Sequence, residues 1–285
     1  MIPHMNIIAW SNVAPWAALR QVEQDLIISR AVIDIFSDDL LREELCFRVG
    51  TALNKLHFPE PLRYSEDIDL VRTSAGPIGP VLDRLREVLD WLGHANYDAS
   101  PVAPSLIFRT DAEDGGPQLR LKVEINTRER EAYDGPVAML HAVENPWFTG
   151  QADIPTFTNE EMLATKLRAL LERDKGRDLF DLSHALTVFD SLDTGRVATL
   201  FVQYLKDQDK TLSRAQAEQR MLAKLARTGF LVDISPLLSA DDAGALTGEA
   251  INAAFMDVFN GLIAQIPGAP WAKTDEKLAQ FGLVT

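Results

Sequence analysis

The sequence predicts an α+β fold of two parts: a mixed-sheet half followed by an all-helical half. Three observations predict it. Leu119–Asn126 alternates cleanly, with Leu119, Leu121, Val123 and Ile125 facing one way and Arg120, Lys122, Glu124 and Asn126 the other, the period of a half-buried strand. Short apolar runs of strand length precede it. From Thr158 onward the apolar residues instead recur at helical steps, and this change near residue 157 sets the expected boundary: a core domain over 1–157 and a helical domain over 158–285 that contributes to the active-site cleft.

Residues 12–37 read as a helix, because Leu19, Val22, Leu26 and Ile33 recur at steps of three, four and seven and Ser11 can serve as its N-cap. A short helix over 39–44 leads into a strand, Leu45 to Val49. Gly50-Thr51 then opens a short helix through Leu56, which Pro59 and Pro61 end. Ile68 to Val71 reads as a strand. A helix over 80–92 carries the stripe Val81, Leu82, Leu85, Val88, Leu89 and Leu92, and Gly93 stops it. Strands follow at Ser105–Thr110 and Leu119–Asn126. Residues 127–157 read as irregular, with short strands near Val137 and Ile154. Thr158 and Glu161 have capping-box spacing, and helices are expected at 159–173, 177–189, 192–206, 212–228 and 241–265.

The chemistry concentrates in Arg63-Tyr64-Ser65-Glu66-Asp67-Ile68-Asp69-Leu70-Val71. Asp67 and Asp69 stand at i and i+2, so a strand puts both carboxylates on one face. Bare carboxylates side by side repel, and a dication between them removes that cost. Oxygen ligands suit Mg²⁺, which also binds substrate phosphates, so the pair points to metal-assisted phosphoryl or nucleotidyl transfer. Glu124, on the polar face of its strand, either completes an oxygen cage with Asp67 and Asp69 or acts as a general base. The plainer alternative is a solvated acid paired with Lys122 or Arg120. Gly50-Thr51, after a strand, is either a phosphate-binding turn or an ordinary strand-to-helix turn. In the run Lys166 to Leu182, Lys166 and Arg173 share one helix face, and Asp178 and Asp181 share another. They read either as a phosphate contact held by carboxylates or as ion pairs between adjacent helices.

Four blocks of this chain together resemble the nucleotidyl transferase AbiEii/AbiGii toxin family. They are Phe47-Arg48-Val49-Gly50-Thr51-Ala52-Leu53, Arg63 to Asp69, Lys122-Val123-Glu124-Ile125, and Lys166 to Leu170 with Lys175 to Leu182. The resemblance spans residues 45–190 and implies a polymerase-β-like nucleotidyltransferase core followed by a helical domain. It implies the toxin of a bacterial toxin–antitoxin or abortive-infection pair, with a cognate antitoxin as partner. By family analogy Asp67 and Asp69 hold Mg²⁺, and Gly50 and Thr51 cradle the triphosphate of an NTP. Arg63 and Ser65 flank the phosphates, with Arg173 also on the nucleotide side. Lys166 contacts phosphate, Asp178 is the essential carboxylate of the last motif, and Asp181 is its companion. Some relatives modify the acceptor end of tRNA, which puts the tRNA 3′ end first among the acceptors the resemblance implies. One position departs: the family has two glycines before its threonine, and here Val49 replaces the first. A β-branched residue resists positive φ and adds bulk, so weaker nucleotide binding is expected. Two alternatives stay open, a catalytically weakened module that engages a partner protein and a nucleotidyltransferase acting on a protein or small molecule.

The bulk properties bound these readings. Over 285 residues, Lys+Arg 28 against Asp+Glu 42 gives a formal net charge of −14. Such a chain does not attract nucleic acid over its whole surface, so a polynucleotide substrate needs a local basic patch. Arg168, Arg173, Lys175 and Arg177 are the candidates. The one cysteine, Cys46, excludes an intrachain disulfide and a cysteine-based zinc site. The five histidines have no ligand spacing, and no apolar run reaches membrane-span length. With no signal-peptide pattern, a cytoplasmic location is expected.

Overall fold

In the computed structural model, which describes every residue except 228, 231, 232, 284 and 285, the chain divides into two compact units, Met1–Thr158 and Asn159–Thr285.

The first unit is built on a seven-stranded mixed sheet of order β3-β4-β5-β2-β1-β7-β6. The strands are β1 (Leu45–Phe47), β2 (Asp67–Arg72), β3 (Asn96–Asp98), β4 (Ser105–Thr110), β5 (Leu119–Asn126), β6 (Val137–Asn145) and β7 (Phe148–Thr156). β2 runs parallel to β5 and β1 parallel to β7, while the other neighbours are antiparallel. The centre is apolar on alternate residues: Ile68 and Leu70 of β2 and Val123 and Ile125 of β5 are buried, as their alternation requires.

Helix α2 (Leu19–Ser37) packs its apolar residues on the sheet, with Val22, Leu26, Ile28, Val32, Ile35 and Phe36 all buried. It starts later than its periodicity suggests. A separate helix, α1 (His4–Trp10), comes first, and Ser11 ends α1 rather than capping α2. Leu19, placed in the buried stripe, is 47% exposed. Pro15 lies in the gap, where its missing N–H and the restraint on the residue before it interrupt a helix. The buried Asp25 pulls this segment back onto α2, accepting hydrogen bonds from Trp10 Nε1 (2.9 Å), Trp16 Nε1 (3.2 Å) and Lys55 Nζ (3.0 Å).

Two further elements fill the first unit around the site. Helix α3 (Asp39–Glu44) is capped by Asp38, which accepts from the Leu41 N–H at 3.0 Å. Helix α5 (Gly79–Val88) buries Val81, Leu82 and Leu85 and ends a turn sooner than expected, in a 3₁₀ turn over Asp90–Leu92. Residues 127–136 are irregular, as expected, and the short strands expected near Val137 and Ile154 are much longer, forming a hairpin of β6 and β7 over 137–156. Its exposed outer face, with Leu140 62% exposed, removes the alternation that would have revealed it. β1 ends at Phe47, and Val49 already belongs to the short helix α4 (Val49–Ala52), which continues as a wider turn over Leu53–His57.

The second unit is helical throughout its described residues: α6 (Asn159–Glu172), α7 (Gly176–Val188), α8 (Thr194–Lys206), α9 (Arg214–Leu225), α10 (Ala240–Ala245), α11 (Gly248–Gly261) and α12 (Thr274–Gln280). The single helix expected over 241–265 is broken after α10, because Thr247 caps a new helix by accepting from the Ala250 N–H (3.2 Å). Residue 228, the expected end of the preceding helix, lies outside the described residues, and α9 ends at Leu225. Glu161 is fully buried and accepts the Tyr204 hydroxyl at 2.6 Å, fastening α8 to α6. The buried Glu218 accepts from Arg214 Nε (2.7 Å) and the Trp271 N–H (2.8 Å), tying the C-terminal segment to α9.

Candidate active site

Strand register assembles the acidic residues of the first unit. β2 pairs with β5 so that Asp67 stands beside Lys122 and Asp69 beside Glu124. Partners in register share a face, and so do residues two apart. The four side chains therefore form one polar patch, with Ile68, Leu70, Val123 and Ile125 on the opposite, buried face. β4 sets Ser105 beside Glu124, and on the other side the Arg48 N–H donates to the Asp69 carbonyl at 3.1 Å.

The electrostatics follow from this crowding. Burial, then the charges of Asp67 and Glu124, push the Asp69 carboxyl up to about 6, against the opposing pull of Arg48 and Lys122. Burial works against the Lys122 charge, but its bond to Glu124 and the charges of Glu124, Asp67 and Asp69 outweigh it and raise the lysine. Lys122 Nζ is ion-paired with Glu124 Oε2, and Arg120 Nη1 stands 3.8 Å from Asp67 Oδ1.

The carboxylates share a face but are not drawn together as a closed oxygen cage. Among the described residues no group of three acidic, histidine or cysteine side chains is gathered closely enough to hold a metal ion. The physical reason is visible: with three carboxylates on one patch, the nearest lysine has taken the share of Glu124. The donor set itself, carboxylate oxygens with a charge that resists burial, fits a hard divalent cation.

The turn beside the patch carries strain. Val49 has φ 69°, a left-handed conformation that L-residues adopt at a cost and β-branched ones rarely adopt. It is the position where the family pattern carries glycine. Thr51, completely buried, donates its hydroxyl to the Asp67 carbonyl. Its one proton is thereby committed, so the 2.7 Å contact with Ser65 is a bond donated by Ser65 Oγ. Thr51 is thus a clip between α4 and the start of β2, and its side chain is not presented to a ligand. Gly50 is also buried, and its carbonyl accepts from Asn54 Nδ2 at 3.0 Å. Arg63 is only 3% exposed; Asn54 Oδ1 accepts its N–H (3.1 Å), and its Nη1 donates to the Tyr64 carbonyl (3.0 Å). Through these bonds Arg63 braces the loop that delivers Ser65 and Asp67.

The remaining predicted residues gather inside the second unit. Lys166 Nζ lies 3.0 Å from Asp178 Oδ1 and 2.6 Å from Asp181 Oδ2. Arg173 grips Asp178 from the other side through Nε (2.7 Å) and Nη2 (2.9 Å). Burial opposes the Asp178 charge, but Lys166 and Arg173 outweigh it and hold the carboxyl well below its usual range. Asp178 and Asp181 are fully buried and Lys166 nearly so, while the Arg173 side chain is 43% exposed. Lys166 and Arg173 thus meet Asp178 and Asp181 as ion pairs across the α6–α7 turn. The member that faces outward is Arg173, and Asp178 acts by holding it.

Sequence reasoning passed over Arg48. Its side chain is buried, and its Nη2 donates to Glu129 at 3.1 Å while its charge bears on Asp69. The only signal was a basic residue directly before Val49-Gly50-Thr51.

Comparison with known proteins identifies the family. The family model described as nucleotidyl transferase AbiEii toxin, Type IV TA system, matches residues 30–260. The chain belongs to that family. It is therefore a nucleotidyltransferase toxin of the type IV toxin–antitoxin class. Among solved structures it is similar to MenT4, a nucleotidyltransferase toxin from Mycobacterium tuberculosis H37Rv, at 20% identity and a TM-score of 0.66, over 98% of this chain and 99% of that one. It is also similar to JHP933 from Helicobacter pylori at 16% identity and a TM-score of 0.51, over 87% and 96% of the two chains. Both likenesses are of fold. No curated protein matches the sequence. No helix among the described residues is long and apolar enough to cross a membrane.

Proposed function

We propose that this toxin transfers a nucleotide from an NTP to an acceptor hydroxyl with Mg²⁺ as cofactor, the 3′ end of a tRNA being the first acceptor to test. Asp67, Asp69 and Glu124 would hold the divalent ion, which when bound neutralises the triphosphate and stabilises the charge that develops in transfer. The acceptor hydroxyl gives its proton to a carboxylate of the patch as its oxygen bonds to the α-phosphorus, the α–β bridging bond breaks, and pyrophosphate leaves. Within the second unit, Arg173 is the cation assigned to phosphate, and Asp178, Asp181 and Lys166 position it. The chain acts in the cytoplasm and is neutralised by a cognate antitoxin.

The observation that carries this reading is the register that sets Asp67, Asp69 and Glu124 on one face. Incubating the protein with labelled NTPs, Mg²⁺ and bulk tRNA tests it. Asp67→Ala is expected to lower labelling by orders of magnitude, because electrostatic stabilisation dominates such transfers. Undiminished labelling by that variant overturns the reading. A second reading, a weakened module that engages a partner protein, has the strained Val49 turn in its favour, and it predicts no metal-dependent NTP binding in calorimetry. A third, transfer to a protein or small molecule, is favoured by the net charge of −14, and exchanging acceptors in the labelling assay separates it from the first.

A further inference from the structure

The second unit contains a basic cleft of about 680 Å³ that the site above does not use. Its charged lining is Lys210, Arg220, Lys224 and Arg227 with Glu172 and Asp174, two bases for each acid. The chain as a whole has two bases for every three acids. Positive charge is therefore concentrated here against the average.

Arg220 and Lys224 stand at i and i+4 of α9 and share its face, and Arg227 follows two residues past the helix end; in this basic ladder Lys224 is buried while Arg220 and Arg227 are exposed. The ladder is anchored beside the Arg173–Asp178 cluster: Lys224 Nζ donates to the Arg173 carbonyl (2.8 Å) and to Asp174 Oδ1 (2.7 Å). Arg227 also binds Asp174, and Lys210 binds Glu172 at 2.7 Å. Arg220 is exposed, and its one hydrogen bond among the described residues goes to the Leu171 carbonyl at 3.4 Å. Most of its five N–H donors are thus uncommitted.

We infer that this cleft holds the phosphodiester backbone of a single-stranded polynucleotide, the acceptor strand of the proposed transfer, and the inference rests on that reading. Arginine forks match phosphate oxygens bidentately. The only apolar lining is Leu171 and Ala223, which offers no pockets for the side chains of a peptide. An acidic chain that binds a polyanion needs such a local site, and few phosphates should be neutralised.

The test uses the full chain and a 5′-labelled single-stranded RNA 12-mer, followed by fluorescence anisotropy between 50 and 300 mM salt. Arg220→Gln with Arg227→Gln removes two exposed charges. Arg109→Gln with Lys273→Gln removes the same charge from exposed positions outside the cleft. The cleft variant is expected to bind RNA at least tenfold more weakly, with a salt slope shallower by about 1.4, at roughly 0.7 for each phosphate left without its arginine. Its calorimetric affinity for NTP with Mg²⁺ should stay unchanged, and the control variant should bind RNA within twofold of wild type. RNA affinity within twofold of wild type in the cleft variant overturns the inference. So does an equal loss of NTP binding, which would make the cleft a mononucleotide site, or equal competition by a poly-glutamate peptide. Failure of the underlying reading looks different: wild type binds RNA through the cleft yet transfers no nucleotide to any acceptor. Transfer to RNA at the wild-type rate by the cleft variant sinks the cleft alone.

Discussion

Replacing Val49 isolates the strain in the turn beside the carboxylates. Val49 sits at φ 69°, where an L-residue costs about 1–2 kcal/mol relative to the right-handed regions. At an ordinary position glycine is less stable than alanine by roughly 0.5–1 kcal/mol, because it loses more backbone entropy on folding. Val49→Ala and Val49→Gly both remove the half-buried isopropyl group, so the burial they forfeit is similar. Only glycine also escapes the φ penalty. Subtracting the midpoint of the entropy cost from the midpoint of the strain leaves Val49→Gly more stable than Val49→Ala by about 0.75 kcal/mol, a reversal of the usual order. For a protein of this size that is roughly 1–4 °C in thermal midpoint, resolvable by differential scanning calorimetry. The glycine variant is also expected to bind NTP with Mg²⁺ several-fold more tightly, since backbone can then approach the phosphates without the valine side chain. If the alanine variant melts at or above the glycine variant, the left-handed turn is not under strain and the argument about nucleotide affinity falls with it.

Three other outcomes follow from charge and close packing. Asp178→Asn leaves Lys166 and Arg173 facing a neutral group and should cost about 3–5 kcal/mol by urea unfolding, whereas Arg173→Gln, at a partly exposed site, should leave the urea midpoint nearly unchanged while nucleotide transfer drops. Asp69 has a folded pKa raised from 3.8 to about 6, so its contribution to stability is full below pH 3.8 and lost as pH rises through 6; in EDTA, Asp69→Asn should gain thermal midpoint over wild type at pH 8 relative to pH 4, and Mg²⁺ should raise wild type at pH 8 more than the variant. Gly176→Ala would set a methyl 2.0 Å from the Phe230 carbonyl oxygen, and the overpacking should lower stability by about 1–3 kcal/mol, read as a fall in the thermal midpoint.

What the sequence revealed tracks what local periodicity can carry. β5 was legible because one of its faces is apolar and the other charged, and α6 to α9 because their buried faces recur every three or four residues. The β6–β7 hairpin was not, since β6 is exposed on much of its length and its pairing is set by a partner strand rather than by its own pattern. The late helix over 241–265 read as continuous because apolar residues span Leu246 and Thr247, and only the cap at Thr247 marks the break. In the site, spacing placed Asp67 and Asp69 on one face, but which acid would join them depends on inter-strand register, which no spacing within one strand encodes. Arg63 and Thr51 have the right chemistry for phosphate, but their burial was not legible; residue type gives what a side chain can do, and only the fold gives its exposure.

The two halves of the motif set handle charge in opposite ways, and this bears on where the chemistry is incomplete. In the second unit the acids Asp178 and Asp181 are matched by Lys166 and Arg173 at 2.6–3.0 Å, so the cluster is neutralised and rigid before any ligand arrives. In the first unit Lys122, Arg120 and Arg48 stand by Asp67, Asp69 and Glu124, and Asp69 is still pushed up to about 6. A patch whose own cations do not satisfy it gains the most from an added positive charge. The Asp69→Asn pH series therefore measures more than a stability term: it measures the charge deficit that a divalent ion would fill, and a flat difference between pH 4 and pH 8 would remove the electrostatic reason for one.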